Sequence, residues 1–249
     1  MSTSCRLSAL FHINCAGMAL FLFVLVVLPH AEAKTVYWGR SKKTIVLDPG
    51  HGGTDAGAHS SDGTLEKKVV LDLSQQIADR LTGTYRVNLT RSDDYQLDTD
   101  RRTDVANNFG ADVFVSIHAA GSYVSASKGI CIYYFEGVAP GEINDSGSQK
   151  ESQVSLPVWD HLQLRHIHTS RMLAKNLKDR LAPLSQTTIT AAPLLVLRGA
   201  DMPAVLIEIG YLSNPEDAKA LRDPQYLKSL TVAIANGIDA FFSDLRQAN

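Results

Sequence analysis

The sequence predicts an α/β domain in three layers, a mostly parallel twisted sheet with helices on both faces, and three observations carry that expectation. Short β-rich runs alternate with amphipathic helical stretches from residue 44 onward, and a strand, a helix and a strand in that order imply a parallel pair. The run from Asp112 to Ile117, DVFVSI, is almost continuously apolar, as is typical of a central parallel strand covered on both faces. Two stretches place apolar residues three and four apart, Val70, Leu73, Ile77 and Leu81 in one and Leu227, Leu230, Ile234, Ile238 and Phe241 in the other. Each is therefore a helix with one stripe to bury.

Taken in order, a polar approach ends at Lys43 and the first strand runs from Thr44 to Leu47. Asp48, Pro49 and Gly50 are turn chemistry that stops it, which leaves His51 on a turn among glycines where the backbone bends sharply and a bulky group can approach the imidazole. Residues 54–64 read as loop, Thr64 and Glu66 open the first helix, and Gly83 closes it. Tyr85 to Leu89 is a second strand, and Leu97 to Phe109 a shorter helix, polar on one side with Arg101, Arg102 and Asp104. The DVFVSI strand carries His118 at its carboxyl end, and a fourth strand follows from Gly129 to Phe135. Residues 137–158 mix glycine, proline, serine and charge without a period, so they read as an insertion loop. A long helix is expected from about Trp159, burying Ser170, Leu173, Ala174, Leu177 and Leu181 and stopped by Pro183. The last strands are expected at Leu194–Leu197 and Ala204–Ile209, ahead of the closing helix.

Composition excludes several classes of function. With 249 residues, 45% hydrophobic and 20% charged, the chain is ordinarily globular. A formal charge of -2 and no long run of Lys or Arg provide no field for nucleic acid. At the front, Arg6, an apolar core from Ala16 to Leu28, the breaker Pro29 and the small-x-small site Ala31-Glu32-Ala33 form a secretory signal peptide over residues 1–33. The apolar run is short of the roughly 20 residues that a membrane anchor needs. Cys15 lacks the surroundings of a lipid-attachment site. Cleavage after Ala33 removes Cys5 and Cys15 and leaves Cys131 alone, so the exported domain, 34–249, has no internal disulfide and no stable membrane anchor.

In an open α/β sheet, ligands bind beyond the carboxyl ends of the strands. His51 and His118 each follow a strand that looks central, and Glu66 opens the helix after the first of them. Two neutral imidazoles and a carboxylate are the three-ligand set of a catalytic zinc site that leaves a fourth position to water. The plain alternatives are a loop histidine and a carboxylate that complements a helix dipole. Glu208, in VLIEIGYLSNPED, is the candidate proton carrier, because a carboxylate in an apolar strand is costly unless it has a partner or a task. Its plain alternative is a salt bridge with Arg198 or Arg102. His161, His166 and His168 do not share one helical face, which argues against a second metal site. Cys131, inside a strand, reads as core. No HExxH, CxxC or G-x-S-x-G is present.

These motifs stand together in IVLDPGHGG (45–53), LEKKVVLDLS (65–74), LTRSDD (89–94), RTDVAN (102–107), ADVFVSIHA (111–119) and MPAVLIEIGYLSNPED (202–217). From about Lys43 to Phe242 the chain thereby resembles the catalytic domain of the zinc-dependent N-acetylmuramoyl-L-alanine amidases of bacterial cell separation and germination. The resemblance implies that His51, Glu66 and His118 bind zinc and that Glu208 is the catalytic carboxylate. It also implies a hydrolase that acts on peptidoglycan in the periplasm or cell-wall space, cutting between N-acetylmuramic acid and L-alanine. Two rival readings share some of these features: a zinc peptidase cutting within the stem peptide, and a non-catalytic peptidoglycan-binding domain. The chain departs from the pattern at Ala120, where the family usually has Asn. It also departs at 137–158, where some relatives carry a longer insertion whose helix blocks the zinc until an activator protein displaces it.

Overall fold

The computed structural model describes residues 42–124, 126–137 and 162–248. The expected signal peptide and all of the 137–158 insertion beyond Gly137 lie outside them, as do Trp159 and His161. In chain order the elements are β1 (Thr44–Pro49), α1 (Glu66–Leu81), β2 (Arg86–Leu89), α2 (Thr99–Asn108), β3 (Val113–Ala120) and β4 (Ile130–Phe135). A 3-10 turn (Gln163–His166) then leads into α3 (Ile167–Leu181), followed by β5 (Thr187–Ala192), α4 (Leu195–Arg198), β6 (Ala204–Tyr211), α5 (Pro215–Ala220) and α6 (Pro224–Ala248).

The strands form one sheet in the order β2-β1-β3-β6-β4-β5. β2, β1, β3 and β6 are parallel, β4 runs antiparallel to β6, and β5 is parallel to β4. Alternation along the strands divides the apolar side chains between two layers. Ile45, Leu47, Val115, Ile117 and Ile207 pack against α1, α3 and α6, whose buried stripes include Leu73, Leu177 and Ile238. Val46, Phe114 and Leu206 pack on the other side with Ala106 of α2 and Leu197 of α4. The three layers expected from the sequence are therefore present. Burying each large apolar side chain is worth roughly 1.5–3 kcal/mol, and Cys131 is a free thiol inside β4, so this packing stabilises the domain without a disulfide. Among the described residues no helix is long and apolar enough to cross a membrane.

The structure corrects the sequence reading in three places. Leu194–Leu197 is not a strand: Leu195–Arg198 is a single helical turn with Leu195 exposed and Leu197 buried. A four-residue apolar run cannot be told from one turn of helix by periodicity. The strand in this region is β5, whose β-branched Thr187, Thr188, Ile189 and Thr190 pair with β4 from Ile130 onward. Second, the NPED sequence forms α5, with Pro215 at its start and the Asn214 side chain accepting from the Glu216 and Asp217 amides at 2.9 and 3.3 Å. Third, Arg102 is buried rather than on a polar face. The stripe of α3 is Ser170, Leu173, Ala174, Leu177 and Leu181, as the spacing predicts.

Candidate active site

β1 ends at Pro49, and the Gly50 amide donates to Ile117 O at 2.9 Å, which keeps the turn against β3. His51 then takes φ 57°, the left-handed region that non-glycine residues rarely enter. Gly50 has to be glycine, because a Cβ there would stand on the His118 ring. Gly57 is under the same constraint, caught between Glu66 and the His51 ring at φ 66°.

Three side chains converge where the β1 turn, the start of α1 and β3 meet. Glu66, 3% exposed, is the first residue of α1. Its Oε1 accepts from the Ala119 amide at 2.9 Å and lies 3.0 Å from His118 Nδ1; its Oε2 accepts from the Ala58 amide at 2.7 Å and lies 3.1 Å from His51 Nε2. The two imidazoles meet edge to face with centroids 5.0 Å apart. Asp55 Oδ2 lies 2.7 Å from His51 Nδ1, and a carboxylate there accepts, so Nδ1 carries the hydrogen and Nε2 is the nitrogen turned to Glu66.

Electrostatics follow from these contacts. Burial alone would raise the Glu66 pKa, but its bonds to His118 and His51 bring it down to about 2. Burial alone would lower His51, and its bonds to Glu66 and Asp55 more than reverse this, so its pKa stands above the usual value. Donor atoms of His51, Glu66 and His118 lie within 4.8 Å of one another. Zinc bonds of about 2.0–2.2 Å in tetrahedral directions set ligands roughly 3.4 Å apart; each imidazole lies 3.0 to 3.1 Å from one Glu66 oxygen, small shifts would close the rest of the set, and the donors are of the types that zinc takes. The residues therefore fit such an ion.

His118 sits inside β3, two residues before its end, rather than beyond the strand as expected, and the register shifts between His118 and Ala120. Glu208 likewise lies inside β6, where it is the register partner of His118 on one side and of Cys131 on the other. Its Oε2 is buried with no hydrogen-bond partner. Burial is the main cause that pushes its pKa up to about 7; the neighbouring His118 opposes the rise and Glu66 adds to it. The expected alternative of a bridge to Arg102 does not form, because Arg102 Nη1 is bonded to Asp48 Oδ1 at 2.9 Å. Nor do the other histidines gather: His166 pairs with Asp201 at 3.0 Å, and among the described residues the grouping of three possible ligands is His51, Glu66 and His118.

The sequence reading missed Asp55 as the partner of His51, and it missed Asp48, Arg91 and Arg102, all buried behind the turn. The signal was present in the spans LDPG, LTRSDD and RTDVAN, which carried the resemblance without an assigned task.

A profile described as N-acetylmuramoyl-L-alanine amidase matches residues 45–240. The amidase AmiA of Salmonella typhimurium is 30% identical over 234 residues, covering 86% of this chain and 80% of its own. Among solved structures, the catalytic domain of the amidase CwlV from Bacillus (Paenibacillus) polymyxa is 31% identical with a TM-score of 0.66, over 81% of this chain and 98% of its own. The amidase AmiC2 of Nostoc punctiforme, 27% identical, gives a TM-score of 0.64 over 82% of this chain and 99% of its own. With a matched region that takes in the sheet from Ile45 onward and every residue of the site, the chain belongs to the N-acetylmuramoyl-L-alanine amidase family.

Proposed function

We propose that the protein is a zinc-dependent hydrolase that cuts the amide between the lactyl group of N-acetylmuramic acid and L-alanine, freeing stem peptide from the glycan. The observation that carries this reading is a buried, unpartnered carboxylate oxygen on Glu208, in register with the cluster His51, Glu66 and His118, in a chain of this family. In the proposed roles the three cluster residues hold zinc, which when bound supplies a Lewis acid and lowers the pKa of water toward about 7. Asp55 fixes the His51 tautomer so that Nε2 keeps a lone pair for ligation. Glu66, held anionic by two backbone amides and two imidazoles, brings the negative charge that a dication requires.

Glu208 is proposed as general base and then general acid. With a pKa near neutrality, its Oε2 takes a proton from the attacking water and returns it to the amine nitrogen of L-alanine as the bond breaks. The substrate lies outside the cytoplasmic membrane, so this reading requires export, the task proposed for residues 1–33.

Purified sacculi incubated with the zinc-loaded protein, followed by mass spectrometry of the released fragments, test the proposal. Intact stem peptides with a free L-alanine amine are expected. Shortened peptides would make the enzyme a peptidase, and no release beyond that of the Glu208→Gln chain would leave a binding domain.

A further inference from the structure

Behind the His51 turn lie two buried arginines, and most of their hydrogen bonds go to the backbone that carries the ligands; of the other two, one goes to Asp93 O and one to the Asp48 carboxylate. Arg91, fully buried, donates from Nε to Pro49 O at 3.0 Å and from Nη2 to Gly50 O at 2.7 Å. The same Nη2 reaches Lys67 O at 3.0 Å, next to Glu66 at the start of α1. Arg102, 6% exposed, donates from Nη1 to Pro49 O at 2.8 Å and from Nη2 to His51 O at 3.0 Å. Three consecutive carbonyls of the turn are thus taken by two guanidiniums. Asp48, with no exposed surface, provides the counter-charge: Arg102 and the Thr90 hydroxyl bond its Oδ1, and the Ser116 hydroxyl, two residues before His118, bonds its Oδ2 at 2.7 Å.

We infer that Arg91 and Arg102 are positioning residues that set the geometry of the ligand set. A left-handed non-glycine conformation persists only where its surroundings over-determine it, and His51 holds φ 57° while its own carbonyl and the two before it are clamped. Through Lys67 O the clamp also fixes Glu66, and through Asp48 and Ser116 it fixes the strand that carries His118. One buried unit therefore references all three ligand-bearing segments to each other. It also gives a task to two spans that have no chemistry of their own: Thr90 and Arg91 lie in LTRSDD, and Arg102 opens RTDVAN. A lysine cannot replace either residue, since a point charge on a flexible stem lacks the planar fork that takes several fixed acceptors at once.

This inference rests on the proposed metal reading, and one titration separates the two. Zinc is titrated into apo wild-type, Arg91→Lys and Arg102→Lys chains in competition with a chromophoric chelator, well below the unfolding temperature of each. Both variants are expected to bind zinc 10- to 100-fold more weakly, the range for loss of a residue that orients a ligand, with far-UV circular dichroism unchanged. A wild-type chain that takes up no zinc overturns the metal reading itself. Wild-type uptake with unchanged affinity in both folded variants overturns the clamp and leaves the metal reading standing. Should neither Lys variant fold, Thr90→Val decides: it removes one donor from Asp48 and keeps both arginines, and an unchanged zinc affinity there overturns the inference.

Discussion

Glu208→Gln separates the chemistry of the site from the stability of the chain. Glu208 as a residue is half-buried, but its Oε2 is enclosed without a partner, and burial raises its pKa from an ordinary 4.5 to about 7. The sign follows from linkage: the folded state holds this proton more tightly than the unfolded state, so the group penalises folding only where it must ionise. The penalty is absent below the unfolded value, grows as pH rises from 4.5, and is complete above about 7. At 1.36 kcal/mol per pKa unit, that gap comes to about 3 kcal/mol. Glutamine does not titrate, and the cost of burying its amide is the same at every pH. The stability of Glu208→Gln relative to wild type should therefore rise by about 3 kcal/mol across this window and be flat on either side. Urea unfolding of chelator-treated protein, followed by far-UV circular dichroism at about pH 4, 6 and 8, measures it. A difference that stays flat, or falls with rising pH, refutes the reasoning. The zinc-loaded variant should lose on the order of 10²-fold or more in turnover on sacculi while keeping its zinc.

His51→Ala and His118→Ala should each abolish stoichiometric zinc by elemental analysis while leaving the far-UV spectrum near wild type; either variant with full zinc at wild-type affinity would show the ligand set to be wrong. Gly50→Ala places a methyl on the His118 imidazole, so the ring must move, and zinc affinity is expected to fall with little change in unfolding temperature. Phe241→Ala empties a fully buried position of α6 in the main core and should cost about 3–5 kcal/mol in urea unfolding. Replacing Val138 to Pro157 by a short Gly-Ser linker should leave zinc content unchanged and activity similar or lower. A large rise in activity would make the segment inhibitory and point to an activator protein.

The sheet and its site were legible to different depths, and the reason is range. His51 could be placed because strand and turn are local: four β-formers, then Asp-Pro-Gly. Glu66 had two local readings, a dipole partner or a ligand, and only its contacts with His51 and His118 bring it into a cluster. The helices α1, α3 and α6 were legible from apolar spacing. β5 was not, since TTITAA looks polar until Ile130 and its neighbours pair with it. Arg91 and Arg102 were invisible to patterning, which counts every charge as solvent-seeking. Their carbonyl acceptors on the His51 turn are 41 to 53 residues away in sequence, and only the folded turn brings those oxygens into the interior.

Two carboxylates at this site have been driven in opposite directions by their surroundings, and that contrast is the physical reason for giving them different proposed tasks. Glu66 accepts from Ala58 and Ala119 amides and faces two imidazoles, so its charged form is favoured down to about pH 2. A group so firmly anionic is a poor proton carrier at neutrality but a suitable ligand for a cation. Glu208 sits on the neighbouring strand, one register step across from His118, with an oxygen that nothing satisfies and a pKa of about 7. It can gain or lose a proton at small cost, which a ligand should not do and a base must. Exchanging the two environments would lose both tasks. The bulge after His118 and the helix start at Glu66 are therefore as much part of the site as the side chains, because they decide which carboxylate finds donors and which does not.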